Sequence, residues 1–362
     1  MFVAFGEIMA RIAPSGALRW RQSLPGSVNV TWGGGEANVC ASLAILGQQA
    51  RYVTALPRHA IAESIAATLR GTGVDTSHIL WRGEGRLGLY FVEAGANQRG
   101  STIIYDRAGS AVSLAEASEY DFARALEGMK WLHVTGITPA ISEVACVANL
   151  ALVRQAKKAG LTVSCDLNFR KKLWNWRPGT KPGELARESM EQVLPHVDVV
   201  IANEEDAADV LGIHAAGTDV ATGRIQAASY VSVAEQIVER FENVSKVAIT
   251  LRESISADHN NWGGMLYDSR TREAHFAPLN ARGEYQPYEI RDIVDRVGAG
   301  DSFAAGLLYA LNSRDYGEPA KAISFAVAAS CLKHSVHGDF NYVSRDEVAA
   351  LVGGNATGRV QR

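Results

Sequence analysis

The sequence predicts an α/β fold with a mostly parallel central sheet and helices on both of its faces. Three observations carry this. Short apolar runs alternate with alanine-rich helical segments along nearly the whole chain. Glycines close several of those helical segments, where a left-handed residue is needed. Hydrophobic residues make up 47% of the 362 residues and charged residues 21%, enough for a large core.

The elements follow in order. A strand is expected over 2–8, then a helix over 36–46 stopped by Gly47. A strand over 50–55 leads to a helix over 59–70, with Gly71 behind it. Strands over 131–134 and 161–165 flank a helix over 142–158. A strand over 197–202 precedes a helix opening at Asn203, and another strand covers 246–251. Two stretches break this rhythm. Residues 7–30 carry few helix signals, and 86–93 with 101–107 read as a strand pair around Gly95-Ala96-Asn97. Together they predict a small β appendage, with strands within 7–32 and 86–107, able to cover a site as a lid. Ordinary surface strands would show the same pattern. Residues 174–183, 214–227 and 278–288 read as irregular, and 353–362 as a frayed end. Length alone suggests two domains of about 150 residues, but large α/β units exceed that size, and one domain over 1–362 is expected.

Charge and composition exclude some functions. The formal net charge is −3, without the basic footprint of a nucleic-acid binder. No apolar run approaches the ~18 residues of a membrane span, and the first residues lack the features of a secretory signal. A soluble cytoplasmic protein with no nucleic-acid or membrane partner is expected. Cys40, Cys146, Cys165 and Cys331 are scattered without paired spacing and read as reduced thiols. His334 and His337 lack ligand-spaced partners, so no direct metal site is expected. The first strand is not followed by G-x-G-x-x-G, which removes the dinucleotide-binding dehydrogenases.

The strongest chemical signal is Gly298-Ala299-Gly300-Asp301. An apolar run through Ile290, Ile293 and Val294 precedes it, and a helical pattern over 302–311 follows. A glycine turn entering a helix leaves amides unpaired at the positive end of the dipole, a site suited to phosphate. Asp301 is then either a cap or a participant in chemistry, and the four residues leave both open. As a participant it would accept a hydroxyl proton while the amides hold the transferred phosphoryl. The dipole is expected to lower its pKa. A second cluster, Gly33-Gly34-Gly35 with Asn38, permits close approach of a ligand. A flexible turn with a surface asparagine would read the same way. Asn203-Glu204-Glu205-Asp206 follows a strand as an asparagine cap with acidic first-turn residues.

Residues 295–303, Asp-Arg-Val-Gly-Ala-Gly-Asp-Ser-Phe, resemble the C-terminal signature of the ribokinase-like (PfkB-type) carbohydrate kinases. The cluster at 33–38 resembles their N-terminal signature, and the likeness runs from Phe5 to about Phe340. It implies a three-layer α/β/α sandwich with a small β-sheet lid. It assigns Asp301 as catalytic base and Gly298, Ala299 and Gly300 as an anion hole. It gives Gly33, Gly34, Gly35 and Asn38 to the sugar hydroxyls. It also implies ATP and Mg2+, with Asn203 and Asp206 ordering magnesium and phosphate through water. Here Asp206 stands where the family motif has Glu, and Arg296 and Val297 stand where Thr is common. A homo-oligomer, dimer or higher, is a further implication.

Arginine is the usual bidentate partner of a carboxylate, and Arg107 and Arg170 both end expected strands. A pair of solvated surface arginines is the plainer reading. Tyr105-x-Arg107-x-Gly109-Ser110-Ala111 and Asp166-x-Asn168-x-Arg170 resemble the 2-keto-3-deoxygluconate kinases of that family, as does Tyr90. The likeness implies a sugar acid held by Tyr90, Tyr105, Arg107 and Arg170 and phosphorylated by ATP. Fructokinase, ribokinase or a related sugar-acid kinase is the nearest alternative. A silent sugar- or nucleotide-binding regulator is the remote one, opposed by the presence of Asp301.

Overall fold

The computed structural model describes residues 1–203, 205–214 and 227–355. Glu204, residues 215–226 and residues 356–362 lie outside the described residues, and with them most of the stretches 214–227 and 353–362; residue 227, expected to be irregular, begins a helix. In chain order the strands are β1 Phe2–Phe5, β2 Met9–Ala13, β3 Asn29–Gly33, β4 Ala50–Pro57, β5 Ile79–Arg82, β6 Leu89–Glu93 and β7 Thr102–Asp106. They continue with β8 Trp131–Thr135, β9 Thr162–Asp166, β10 Val199–Asn203, β11 Lys246–Ser254, β12 Asn260–Asp268, β13 Glu273–Ala277 and β14 Tyr288–Ile290.

The main sheet runs β13-β12-β11-β10-β9-β8-β1-β4-β5, with β14 pairing β12 off that path. From β11 to β5 every neighbouring pair is parallel, and β12, β13 and β14 add an antiparallel edge. Strands buried on both faces explain the apolar runs: the burial of β1 and β8 is complete along their length. One core lies on each face. Helix Glu143–Lys158 packs Ala148, Leu152 and Val153 into the first, and helices Ala299–Leu311 and Pro319–Lys333 pack Phe303, Leu307 and Phe325 into the second.

Local chemistry sets the helix boundaries. His59 Nδ1 accepts from the Ala62 amide at 3.1 Å and Ser142 Oγ from the Ala145 amide at 3.0 Å, so both residues cap helices rather than begin them. Helix Ala60–Gly71 ends one residue later than expected, and Gly73 supplies the left-handed turn at φ 96°. The strand expected over 2–8 stops at Phe5, because the chain leaves the main sheet there to enter β2. Helix Pro182–Val193 falls partly within a stretch expected to be irregular. Proline at its first position, which needs no amide donor, starts the helix inside that stretch.

The small β appendage is a separate four-stranded sheet, β3-β2-β6-β7. Its hairpin joins β6 to β7 antiparallel, with Asn97 at φ 50° in the turn. Met9, Arg11, Tyr90, Val92 and Tyr105 alternate onto the face toward the main body, while Val30 and Ile104 are exposed on the other. The expected strand over 86–93 begins only at Leu89. Several contacts fix this sheet to the main body, among them the Trp32 indole donating to the Thr68 hydroxyl at 3.1 Å. Arg11 pairs with Asp295 and Asp339, and the Asn97 turn meets the β11–β12 hairpin through the Ala257 amide and Asp258. Among the described residues no helix is long and apolar enough to cross a membrane.

Candidate active site

Parallel α/β sheets bind ligands beyond the carboxyl ends of their strands. Here a cavity of about 660 Å³ lies at those ends, where Glu7 follows β1 and Asp166, Asn203 and Thr250 lie on β9, β10 and β11. The inner face of the small sheet covers it with Met9, Tyr90, Val92 and Tyr105. Every residue singled out from sequence for a role lines this cavity: Gly33, Gly34, Gly35, Asn38, Tyr90, Tyr105, Arg107, Arg170, Asn203, Asp206, Gly298, Ala299, Gly300 and Asp301.

The glycine turn is built differently from the expectation. No strand feeds it directly: β14 is three residues long and pairs antiparallel, and residues 291–298 follow without regular structure. The helix begins at Ala299, three residues before the expected start, so Asp301 is its third residue and Gly298 takes the capping position. Gly298 has φ 85°, and a Cβ there would lie 2.2 Å from the Asp339 carbonyl oxygen, so only glycine fits. Gly298, Ala299 and Gly300 line the cavity, and the helix start they form is suited to an anion.

Asp301 carries a second correction. The dipole was expected to lower its pKa, but burial pushes it up to about 7. Asn38 donates to Asp301 Oδ2 through Nδ2 at 2.6 Å and lowers it, while the Asp339 charge raises it further. Desolvation of the charged form exceeds the dipole at this depth. Asn38 is therefore not a surface asparagine. It is buried, it bonds Asp301, and its Oδ1 accepts from the Gly34 amide at 3.3 Å. Gly34 must be glycine because a Cβ would sit 2.1 Å from the Glu7 carbonyl oxygen.

The two arginines part company. Arg107 is no solvated surface residue: it is buried and ion-paired with Glu7, its Nε donating to Glu7 Oε2 at 2.6 Å. Its guanidinium carbon lies 5.8 Å from the Tyr105 ring centre. Arg170 is exposed and has no carboxylate at ion-pair distance among the described residues; its Nη1 donates to the Phe169 carbonyl at 2.9 Å. Asn203 Oδ1 accepts from the Glu205 and Asp206 amides at 2.8 and 2.9 Å, closing the turn into helix Asp206–Leu211. Asp206 is buried and accepts from the Phe169 amide at 2.9 Å and the Asn203 amide at 3.2 Å. It thereby ties the Arg170 segment to the end of β10.

Several residues of the site escaped the sequence reading. Arg11 bridges Asp295 at 2.7 Å and Asp339 at 2.9 Å, and Tyr90 donates its hydroxyl to Asp339. Burial raises the pKa of Asp339, and burial together with the charges of Asp206 and Asp301 raises that of Asp166. Glu36 accepts from the Thr135 and Thr138 hydroxyls at 2.8 Å each beneath the glycine cluster, and burial raises its pKa. Buried Lys333 donates to the Val336 carbonyl at 3.0 Å, and desolvation lowers its pKa. Glu7 after the first strand and Asp166 within Asp-x-Asn-x-Arg had usable positions in the sequence; Asp339 had none.

His334 is buried, hydrogen-bonded to the Ser330 carbonyl at 2.9 Å and set edge-on to Trp262. Among the described residues no group of three His, Cys, Asp or Glu side chains is placed to hold a metal ion. Magnesium bound to a nucleotide needs only one or two carboxylates, with phosphates and water completing its shell. Asp166 and Asp206 are the carboxylates at the cavity wall, and a cation there would offset the burial and the neighbouring carboxylates that raise the pKa of Asp166.

A parallel sheet with a phosphate-suited helix start, a carboxylate beside it and a covering second sheet defines a small-molecule phosphotransferase site. The model of the pfkB family carbohydrate kinases matches residues 1–250 and 274–344, and the chain belongs to that family. It is a carbohydrate kinase of ribokinase-like fold. It is 30% identical over 357 residues to the 2-dehydro-3-deoxygalactonokinase of Haloferax volcanii, covering 98% of each chain. It is 27% identical over 308 residues to the 2-dehydro-3-deoxygluconokinase of Thermoproteus tenax, covering 84% of this chain and 80% of that one. The crystal structure of the 2-dehydro-3-deoxygluconokinase of Thermotoga maritima matches with a TM-score of 0.87 at 42% identity, over 98% of this chain and 99% of that one.

Proposed function

We propose that the protein phosphorylates 2-keto-3-deoxygluconate (the 2-dehydro-3-deoxygluconate of the relatives' names) on its terminal hydroxyl, using ATP and Mg2+ and acting as one domain over 1–362. The observation that carries the reading is that Asp301, set in the anion-binding helix start, lines the same cavity as Tyr90, Tyr105, Arg107 and the exposed Arg170. Two relatives named for the gluconate acid and one named for its galactonate epimer support a 2-keto-3-deoxy sugar acid as the class of acceptor.

In this reading Asp301 takes the proton of the acceptor hydroxyl as that oxygen bonds the γ-phosphorus. The bond from phosphorus to the bridging oxygen breaks, and ADP carries away the electron pair. Amides of Gly298, Ala299 and Gly300 receive the transferred phosphoryl oxygens. Asp166 and Asp206 are the carboxylates that would hold magnesium, with Asn203 shaping the adjoining turn, and the chemistry it would supply is neutralisation of phosphate charge. Arg170, which has no carboxylate at ion-pair distance among the described residues, is the cation we assign to the acid group.

A coupled ADP-release assay over a panel of sugar acids and neutral sugars tests the substrate. Turnover of the 2-keto-3-deoxy acid well above fructose and ribose is expected; turnover of the neutral sugars alone rejects the acid. Arg170→Ala is expected to raise KM for the acid about tenfold or more, the scale of one charge-assisted contact, and to leave KM for a neutral sugar nearly unchanged. Equal effects on both remove Arg170 from acid recognition. The pKa of Asp301 fixes the pH dependence. Its raised value leaves the base protonated below about pH 7. The acceptor kcat/KM should therefore rise about tenfold per pH unit up to about 7 and level off above it. A profile flat from pH 5 to 8 excludes this base.

A further inference from the structure

Glu7 and Arg107 close one end of the cavity as a buried ion pair, with side-chain exposures of 2% and 7%. Glu7 Oε2 accepts from Arg107 Nε at 2.6 Å. Glu7 Oε1 is buried and has no hydrogen-bond partner. Arg107 Nη2, although close to the paired Oε2, makes no hydrogen bond either. An acceptor and a donor thus stand unsatisfied side by side at a wall that also carries Tyr90 and Tyr105. A buried ionic atom left unpaired carries a desolvation cost that a ligand group of the right polarity removes.

We propose that Glu7 determines acceptor specificity: its Oε1 accepts a hydrogen bond from a hydroxyl of the sugar while Arg107 Nη2 donates to a neighbouring oxygen of the same molecule. The charges of the pair nearly cancel, so this end of the cavity reads a donor beside an acceptor rather than net charge. Selection for an acid then falls to Arg170, and Glu7 selects for a hydroxyl at one carbon. The inference rests on the carbohydrate-kinase activity; only the identity of the oxygen meeting Arg107 depends on the sugar-acid reading.

Glu7→Gln tests it. Arginine only donates, so the amide oxygen must face Arg107, and the NH2 group turns into the cavity. The substitution keeps the shape and reverses the polarity of the unpaired atom. With the acceptor that the substrate panel shows to be best, kcat/KM for the acceptor is expected to fall about 10–100-fold, and KM for ATP to stay within about twofold. Among monodeoxy analogues of that acceptor, the wild type should reject one by about tenfold or more, and Glu7→Gln should lose that discrimination. An acceptor kcat/KM within about twofold of wild type overturns the proposal. So does an equal loss on the parent and all analogues, which would make Glu7 only a support for Arg107. Should Glu7→Gln fail to fold, Glu7→Asp keeps the charge and withdraws the oxygen by one methylene, and the same selective loss is required of it. Because the best acceptor is used whatever its class, a neutral sugar would reject the acid reading and leave this test intact.

Discussion

Asp301→Asn should lower kcat by about 10²–10⁴-fold, the range of a positioned general base, while KM for the acceptor changes little. The fold should gain from the same substitution. Asp301 has its pKa raised from 3.8 to about 7, so the folded state disfavours the carboxylate. Between those values folding takes up a proton, and wild-type stability falls as pH rises through that window. Asparagine carries no charge at any pH, and its side-chain oxygen can still accept from Asn38, which bonds Asp301 at 2.6 Å. The variant should therefore be more stable than wild type at pH 8, on the order of 2 kcal/mol, with the gap closing below pH 4. Steady-state kinetics with urea unfolding at pH 4 and 8 measures both. Full activity, or a loss of stability at pH 8, refutes the assignment.

Arg11→Met should give the largest loss of stability, about 3–5 kcal/mol at pH 8 by denaturant unfolding, the cost of breaking a buried ion pair on one side. Arg11 is buried between Asp295 and Asp339, and methionine fills similar space without charge. The two carboxylates would be left facing each other. Asp339 already has a raised pKa from burial, with Arg11 opposing that rise. Without Arg11 it should climb further and take up a proton on folding. The deficit should therefore shrink as pH falls from 8 to 5. A loss below about 1 kcal/mol, or one equal at both pH values, contradicts this account. Activity should fall too, because Asp295 accepts from the Val297 amide and the Asp339 carbonyl abuts Gly298. Arg11 thereby joins the covering sheet to the anion-binding turn.

The sequence by itself determined the parallel sheet, a small second β unit and the two glycine clusters, while the place of that unit over the cavity came from the tertiary structure. These depend on local signals: apolar runs for strands buried on both faces, capping residues, and positions where a Cβ has no room. Gly298 and Gly34 are legible for that reason. What only the tertiary structure decided is how charges meet across the chain. Arg11 and Asp339 are 328 residues apart, Asn38 and Asp301 263 apart, and Glu7 and Arg107 100 apart. No periodicity records such pairings. Asp301 shows the consequence most plainly. Its place in a helix start is local and suggested a lowered pKa, whereas its desolvation, with the Asp339 charge nearby, is a property of the assembled fold. Desolvation depends on what surrounds a group on every side, so the direction of that shift, and with it the working pH of the site, was fixed only when the chain closed.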